Sequence, residues 1–176
     1  AQCLVGSEMC IRDRFSPDTE LGRWLATRNT MLRIGRNLFV HAGLSARLLE
    51  RNLEMDTLNA RMSEGLYRTS KERREDPTLE FLYRSAGPVW YRGMVCTDEK
   101  YDPLTPEQTD ALLRRYDADR LLVGHTIFPD ISTFHDGRVI AVNVQNELNR
   151  RKNRGRAVLI EGSRISVVGN RGVKRV

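Results

Sequence analysis

The sequence predicts an α/β fold, and three features of its patterning support this. From Phe15 onward the polarity changes in short blocks, as expected when strands and helices alternate. Helix signals dominate up to about residue 116, and strand-like segments dominate after it. Two hydrophobic segments run directly into a histidine, which is typical of strands that deliver a side chain to the edge of a sheet.

The first element is an amphipathic helix over residues 18–28. Either Asp18 or Thr19 serves as its N-cap, because both side chains accept a hydrogen bond from a free N–H group of the first turn. Apolar residues at i, i+3 and i+4 form its hydrophobic stripe, namely Leu21, Trp24 and Leu25.

A pair of short strands follows over residues 31–34 and 37–41. The segments MLRI and NLFV flank Gly35 and Arg36, which predicts a hairpin or two adjacent strands. The second strand delivers His41 at its end.

Residues 46–84 have a helical composition, and a second helical segment is marked sharply over 106–116. Within the first segment, the charged run 71–76 is predicted to be a solvated loop. The second begins with Thr105 as N-cap, a proline at the first helical position and Gln108 at the third. The apolar stripe of the first segment consists of Leu48, Leu49, Leu53, Met55, Leu58 and Met62.

The last part of the chain is predicted to form a sheet. A short buried strand over 120–123 ends at Gly124 and His125. Turns at 136–137 and 161–162, each with glycine as its second residue, separate later strands. Those strand-like segments are 131–135, 138–144, 157–160 and 164–168.

His41 and His125 occupy matching contexts, in which a hydrophobic strand ends in a histidine followed by a small residue. Side chains just beyond the carboxyl ends of strands converge on the crevice where α/β sheets bind ligands. Two imidazoles presented in this way could bind one metal ion, so we expect their ring nitrogens to lie within about 5 Å of each other. The alternative is that each is an ordinary strand-end histidine held by a hydrogen bond.

Composition limits the class of protein. No run of 18 apolar residues occurs, which predicts one soluble globular unit without a transmembrane helix. The net charge of +6 and the pI of about 9.6 suit a partner that carries phosphate, but do not distinguish nucleic acid, phosphoprotein and nucleotide. Cys3, Cys10 and Cys96 have neither a CxxC spacing nor a zinc-site spacing.

The first fourteen residues, AQCLVGSEMCIRDR, resemble the translated read-through of a sequencing adapter. We therefore interpret 1–14 as a non-native segment and 15–176 as part of a native domain. The same interpretation places the true N-terminus of the protein upstream of the given sequence.

Five segments support a family resemblance: TELGRWL, LFVHAGLS, GPVWYRG, LLVGHT and DGRVIAVNV. Their order and spacing resemble those of calcineurin-like metallophosphoesterases of the phosphoprotein-phosphatase type, in particular the Shewanella-like bacterial branch. The similarity extends from about Phe15 to about Val168. It implies that the chain is the C-terminal half of the four-layer α/β/β/α sandwich of that family.

The resemblance also implies roles for individual residues. In such enzymes the two strand-end histidines bind the second of two metal ions, so His41 and His125 become metal ligands. Arg92, in GPVWYRG, becomes a phosphate contact because a guanidinium is a planar double donor. The alternative is a surface arginine that covers Trp90 or Tyr91. The implied cofactors are two divalent ions of manganese, iron or zinc, which would activate water for attack on phosphorus.

Two departures from family patterns refine this expectation. Related phosphodiesterases commonly have the motif GHTH. In this sequence Ile127 takes the place of its second histidine, which favours the phosphoprotein-phosphatase arrangement. The family motifs GDxHG, GDxxDRG and GNHE are absent after Arg14, so we expect them upstream. The chain as it stands is therefore expected to have negligible phosphatase activity, even with manganese.

The function implied is that of a metal-dependent phosphatase fragment that hydrolyses phosphate monoesters on a phosphorylated protein or small molecule in the cytoplasm. Phosphoserine, phosphothreonine and phosphotyrosine all stay open as the substrate group. The alternatives are a dinucleoside polyphosphate hydrolase of the same fold and a non-catalytic basic binding module. Nucleic acid is disfavoured because the basic run 150–156 has no interleaved aromatic residues and is predicted to be a solvated loop. His135 is predicted to be a partly exposed turn residue, and Trp24 and Trp90 to be core or pocket-wall residues.

Overall fold

The structure is a computed structural model, and it describes residues 14–170 and 172–175. The segment 1–14, predicted to be non-native, therefore lies outside the described residues except for Arg14. In the described ranges, no helix is long and apolar enough to cross a membrane. The α-helices are α1 (Glu20–Ala26), α2 (Arg47–Arg51), α3 (Met55–Gly65), α4 (Ser70–Arg74), α5 (Pro77–Tyr83), α6 (Pro106–Arg115) and α7 (Asn146–Arg151). The strands are β1 (Met31–Ile34), β2 (Asn37–Val40), β3 (Arg120–Val123), β4 (Ser132–Phe134), β5 (Val139–Ala141), β6 (Arg156–Glu161), β7 (Arg164–Gly169) and β8 (Gly172–Arg175).

Local signals explain where two of the predicted helices begin. Thr19 caps α1 by accepting a hydrogen bond from a first-turn N–H group. The predicted stripe of α1 is largely solvent-facing, since Leu21 and Trp24 are 44% and 52% exposed. Helix α6 begins as predicted, with a capping box between Thr105 and Gln108.

The charged run 71–76 is mostly helical, so the prediction of a loop is wrong. It overlaps α4, which begins with a second capping box. Thr69 Oγ1 accepts a hydrogen bond from the Glu72 N–H group, and the Glu72 carboxylate accepts one from the Thr69 N–H group. A capped turn of charged residues can form a short helix without an apolar stripe, and the sequence-based prediction ignored this.

A five-stranded mixed sheet is the centre of the fold. Its strand order is β1-β2-β3-β5-β4, with the three middle strands parallel and the two edge strands antiparallel to their neighbours. The predicted hairpin joins β1 to β2 through Gly35, whose φ of +57° is the left-handed conformation that glycine adopts without steric cost. The sequence patterns therefore located the strands. The parallel direction of β2 and β3 depends on the long connection between them, because parallel neighbours cannot be joined by a tight turn.

The middle strands bury side chains on both faces. One face packs against the helices and forms the main core, with Leu38, Val40, Leu121, Val123, Val139 and Ala141. The opposite face contributes Phe39, Leu122 and Ile140 to a second cluster. Burial on both faces is typical of parallel strands that are covered by other layers.

A three-stranded antiparallel sheet, β6-β7-β8, covers the second face. Val158, Ile160 and Ile165 pack against the central strands, whereas Leu159 and Val173 are 39% and 63% exposed. The layers seen in the described residues are therefore helices, the five-stranded sheet and the three-stranded sheet. The predicted C-terminal half of a four-layer α/β/β/α metallophosphoesterase sandwich is wrong for these residues, because no second helical layer covers the outer face of the small sheet.

Candidate functional site

The two histidines singled out in the sequence follow neighbouring parallel strands. Val40 of β2 and Val123 of β3 are register partners, so the carboxyl ends of both strands lie at the same edge of the sheet. His41 is the first residue after β2, and Gly124 alone separates β3 from His125. The sheet thus brings together two side chains that are 84 residues apart in the chain.

The imidazoles of His41 and His125 are in direct contact. His41 Nε2 lies 3.2 Å from His125 Nδ1, and the ring centroids are 5.1 Å apart at an interplanar angle of 62°. The expected approach of the two rings is therefore observed. Two nitrogens that each lie about 2.1 Å from one ion are at most about 4.2 Å apart, so the measured distance suits either a shared ion or a direct hydrogen bond.

The backbone at His125 aims its ring at His41. Its φ of +60° is in the left-handed region, which residues other than glycine rarely adopt. The Gly124 N–H group donates to the His41 carbonyl oxygen at 2.8 Å, and a Cβ atom at Gly124 would lie 3.2 Å from that oxygen. This close approach of the two strand ends favours glycine before the second histidine.

Trp90 forms one wall of the histidine site. Its ring is perpendicular to that of His125, with centroids 5.5 Å apart. The segment that carries Trp90 is tied to the His41 loop, because the Ala42 N–H group donates to the Pro88 carbonyl oxygen at 3.0 Å. Trp90 is 55% exposed, so it is a pocket wall and not a core residue.

Arg92 places positive charge near this wall. It is partly buried, its guanidinium lies 5.9 Å from the centre of the Tyr101 ring, and it makes no ion pair with the residues that the structure describes. Burial lowers the pKa of His125, and the charges of Arg92 and His41 lower that pKa further. His125 is therefore mainly a neutral imidazole at neutral pH, which is the form able to accept a proton or bind a metal ion.

The other ring nitrogen of His125, Nε2, is buried and has no hydrogen-bond partner in residues 14–170 and 172–175. A histidine that binds a metal ion is usually oriented by a hydrogen bond from its second ring nitrogen, and the described part of the chain does not supply one for His125. The left-handed backbone and the Trp90 ring orient this imidazole instead.

A cleft of about 540 Å³ opens beside the histidine pair, and both Trp90 and Arg92 line it. Its volume is in the range of small-molecule sites. Charged and aromatic side chains make up most of its walls. The charged ones are Arg47, Arg84, Arg92, Lys100 and Asp102, and the aromatic ones are Tyr83, Trp90, Tyr91 and Tyr101.

His135 is separate from the pair and connects two parts of the fold. Its ring nitrogens lie 3.2 Å from Thr109 Oγ1 and 3.1 Å from the Met94 carbonyl oxygen. The Met94 sulfur in turn accepts a hydrogen bond from the Leu44 N–H group at 3.3 Å. His135 is thus a partly buried turn residue that joins α6 to the loop after His41.

The basic stretch 150–156 is not a simple loop. Its first residues complete α7, and its later ones approach a carboxylate. Arg156 Nε lies 2.7 Å from Asp130 Oδ1, and Arg154 Nη1 lies 3.9 Å from Asp130 Oδ2. Two of its cations therefore have an acidic neighbour, which disfavours a nucleic-acid surface here.

Within the described part of the chain, further metal-ligating side chains do not join the histidine pair. In residues 14–170 and 172–175, no group of three or more histidine, cysteine, aspartate and glutamate side chains is placed to hold a metal ion. The prediction of two divalent ions of manganese, iron or zinc is therefore wrong for the described residues, because they do not form a two-ion centre. The assignments of His41 and His125 as metal ligands and of Arg92 as a phosphate contact stay predictions.

Cys96 does not lie in the candidate site. Its side chain is partly buried and packs against the main core, and it is not among the residues that line the cleft. The described residues thus line the cleft with guanidinium and ammonium groups but with no thiol, and the two imidazoles lie beside it, next to Trp90.

Solved structures identify proteins of similar architecture. The chain is 28% identical to a cold-active protein tyrosine phosphatase, with a TM-score of 0.81 over 92% of this chain and 46% of that one. It is 27% identical to the cold-active protein tyrosine phosphatase of a psychrophilic Shewanella species, and also to a point variant of such an enzyme, with the same coverage and TM-score. The chain therefore spans about half the length of the structures it matches. No family model and no curated protein matches it.

These comparisons correct the family assigned from sequence motifs. The similar structures are named protein tyrosine phosphatases, whereas the sequence motifs were identified above as those of a calcineurin-like metallophosphoesterase of the phosphoprotein-phosphatase type. That identification is wrong by this comparison, and the serine/threonine specificity and manganese dependence attached to it are withdrawn. The similarity to phosphatases agrees with the broader expectation of a phosphatase-related chain.

Most of the cleft was missed by sequence reasoning. Arg47, Arg84 and Lys100 belong to separate segments, and no shared spacing links them. Trp90 and Arg92 were found only because they lie within one recognisable segment, GPVWYRG. Residues that meet through tertiary packing leave no periodic signal in the sequence.

Proposed function

We propose that this chain forms part of a phosphatase that hydrolyses phosphate monoesters, with the phosphoryl group bound between the His41–His125 pair and Arg92. The observation that supports it best is the convergence of two imidazoles at the carboxyl ends of adjacent parallel strands, beside a cleft rich in cations. The similarity to protein tyrosine phosphatases over 92% of the chain agrees with this chemistry.

Arg92 is the proposed phosphate-binding residue. Its guanidinium is free of carboxylate partners in the described part of the chain and is partly buried, so its charge is screened less than that of a surface arginine. A planar guanidinium donates two parallel hydrogen bonds to phosphate oxygens, which both orients the phosphoryl group and offsets its negative charge.

His41, the exposed member of the pair, is proposed to contact the reacting phosphoryl group or its leaving oxygen, and His125, whose Nδ1 lies 3.2 Å from His41 Nε2, is proposed to orient His41 and exchange a proton with it. A neutral imidazole can accept a proton from a nucleophile or, once protonated, donate one to a leaving group. The perpendicular Trp90 ring shields one side of His125 from water. The same nitrogens, 3.2 Å apart, could instead ligate one ion, which would offset phosphate charge when bound.

Phosphotyrosine on a protein is the proposed substrate group. The structures similar to this chain are named for it, and the cleft offers aromatic walls on which a phenyl ring can pack. A volume of about 540 Å³ accommodates a tyrosine side chain and neighbouring peptide atoms.

Titration with inorganic phosphate tests the site directly. The chain should bind one phosphate per molecule, and Arg92→Gln should weaken binding roughly 10- to 150-fold, since a hydrogen bond between charged groups contributes about 1.5–3 kcal/mol. Arg92→Lys should restore part of the affinity because it keeps the charge but not the planar donor pair. The matched control is Arg114→Gln, which removes an exposed arginine of α6 that does not line the cleft. Absence of phosphate binding, or equal losses in Arg92→Gln and Arg114→Gln, would contradict the proposal.

Repeating the titration with zinc and manganese distinguishes the two histidine roles. If the pair ligates an ion, calorimetry should detect metal binding that His41→Ala and His125→Ala each abolish. If the imidazoles act on the phosphoryl group alone, phosphate affinity should fall in both variants without any metal binding.

The chain by itself is expected to release little phosphate from p-nitrophenyl phosphate or a phosphotyrosine peptide. The described residues supply groups that bind an oxyanion, but the thiol of Cys96 lies outside the cleft and no carboxylate joins the histidine pair. Rapid turnover by this chain, lost in His125→Ala, would show that these residues are sufficient for catalysis.

A further inference from the structure

The cleft beside the histidine pair carries an excess of positive charge. Among the described residues, four cations line it, Arg47, Arg84, Arg92 and Lys100, whereas Asp102 is the one lining carboxylate. Arg92 is already assigned to the phosphoryl group. The other three cations therefore exceed what a single phosphate requires, and they point to an additional anionic ligand.

These cations are only weakly neutralised by the protein. Arg47 makes no ion pair with the described residues and lies 6.0 Å from the centre of the Phe81 ring. Arg84 approaches Glu80 at 3.4 Å, and both side chains are exposed, so this helical pair contributes little. Lys100 pairs with Asp98 at 2.7 Å, again between exposed side chains. An anionic partner could replace such surface pairs at small cost.

The aromatic residues give the cleft an apolar lining between its charges. The hydroxyl groups of Tyr83 and Tyr91 donate to the backbone carbonyl oxygens of Met62 and Asp102, respectively. Those hydroxyls are thus occupied, and Tyr91 is only 3% exposed, so the aromatic surface open to a ligand is mainly that of Trp90, which is 55% exposed. A ligand that suits this lining has carboxylates separated by apolar or backbone atoms, as an acidic peptide does.

The cleft is also continuous with the proposed phosphate site. Trp90 contacts His125 on one side and lines the cleft, and Arg92 is close enough to influence the pKa of His125. A peptide whose phosphorylated residue occupies the histidine site would therefore extend past Trp90 and Arg92, and its neighbouring residues would reach the other cations of the cleft.

We propose that this cleft selects substrates with acidic residues beside the phosphorylated one, through Arg47, Arg84 and Lys100. The proposal rests on the proposed function, because it assumes that the phosphoryl group lies at the adjacent histidine pair. It assigns a substrate class, acidic phosphopeptides, and it separates residues that select the peptide from those that act on phosphate.

Fluorescence anisotropy with unphosphorylated peptides tests the cleft independently of phosphate chemistry. A fluorescein-labelled peptide with four glutamates around a tyrosine should bind more tightly than the same peptide with glutamines, and the difference should shrink with added salt. Arg47→Gln, Arg84→Gln and Lys100→Gln should each weaken the glutamate peptide roughly 1.5- to 5-fold, and the triple variant should remove most of the preference. The control Arg114→Gln changes net charge equally at a position outside the cleft and should leave binding unchanged.

Equal binding of the two peptides, or equal losses in Arg114→Gln and the cleft variants, would overturn the proposal. So would tighter binding of a single-stranded oligonucleotide of the same charge with the same dependence on the three cations, because the cleft would then be a nucleic-acid site. Inorganic phosphate titrated into the same variants reports separately on the proposed function, and it should still bind when Arg47, Arg84 and Lys100 are replaced.

Discussion

Asn59 holds the edge strand of the central sheet, and replacing it offers a sharp test of the fold. The Asn59 side chain accepts a hydrogen bond from the Met31 N–H group at 2.9 Å and donates one to the Met31 carbonyl oxygen at 2.8 Å. In an antiparallel pair both backbone groups of a residue point to the same side, so the amide of Asn59 replaces a neighbouring strand on the open side of β1. The hairpin it secures delivers His41 to the site.

The magnitude follows from what Asn59→Leu leaves behind. Met31 is fully buried and Asn59 is 8% exposed, so water cannot easily replace the two lost hydrogen bonds. Leaving a buried donor and a buried acceptor unpaired costs about 1–3 kcal/mol each, and partial relaxation reduces the sum. We expect Asn59→Leu to lower the free energy of unfolding by about 2–4 kcal/mol, which corresponds to roughly 4–16 °C in Tm for a chain of this size.

Urea unfolding followed by circular dichroism measures this change. The exposed Asn29 provides the control, since Asn29→Leu should change stability by less than about 0.5 kcal/mol. A loss below about 1 kcal/mol in Asn59→Leu would contradict this prediction, because it would mean that Met31 finds other partners or that β1 is not held by α3.

Three further predictions follow from other contacts. A Cβ atom at Gly93 would lie 2.3 Å from the Tyr91 hydroxyl and 2.5 Å from two backbone oxygens, so Gly93→Ala should displace the Lys100 segment. Anisotropy should then show acidic-peptide binding weakened about as much as in Lys100→Gln, roughly 1.5- to 5-fold, and an unchanged affinity would contradict this. Thr69→Ala removes the cap of α4 and should lower the free energy of unfolding by about 0.5–2 kcal/mol, measured by urea unfolding. Thr69→Ser keeps the hydroxyl group and should retain most of this stability. If Thr69→Ser lost as much stability as Thr69→Ala, the capping box would not be the cause. The hydrogen bond from Arg156 lowers the pKa of Asp130, so Asp130 stabilises the fold above the ordinary aspartate pKa of about 3.9 and this contribution is lost as pH falls through the lowered value. Asp130→Asn should therefore reduce stability at pH 7 but much less at pH 3, and an equal reduction at both values would exclude this electrostatic cause.

Several sequence predictions agree with the structure because their signals are local. The hairpin around Gly35 and the helix that begins at Thr105 depend on residues within a few positions of each other. The prediction of a loop over 71–76 was wrong for a local reason too, since the capping box at Thr69 lies just before the charged run and was overlooked. Motif resemblance was less dependable than these signals, because it carried the family, the layers and the two-ion cofactor as one assumption.

Residues adjacent in the chain were enough to predict a histidine at the end of each of two buried strands, because a hydrophobic run and the residue that ends it lie next to each other. Tertiary packing placed β2 and β3 side by side and parallel, which brought His41 Nε2 to 3.2 Å from His125 Nδ1. It also assembled the cationic cleft from segments between Arg47 and Asp102. Pairing and packing between distant segments depend on the burial of complementary faces, and no short stretch of sequence contains both faces.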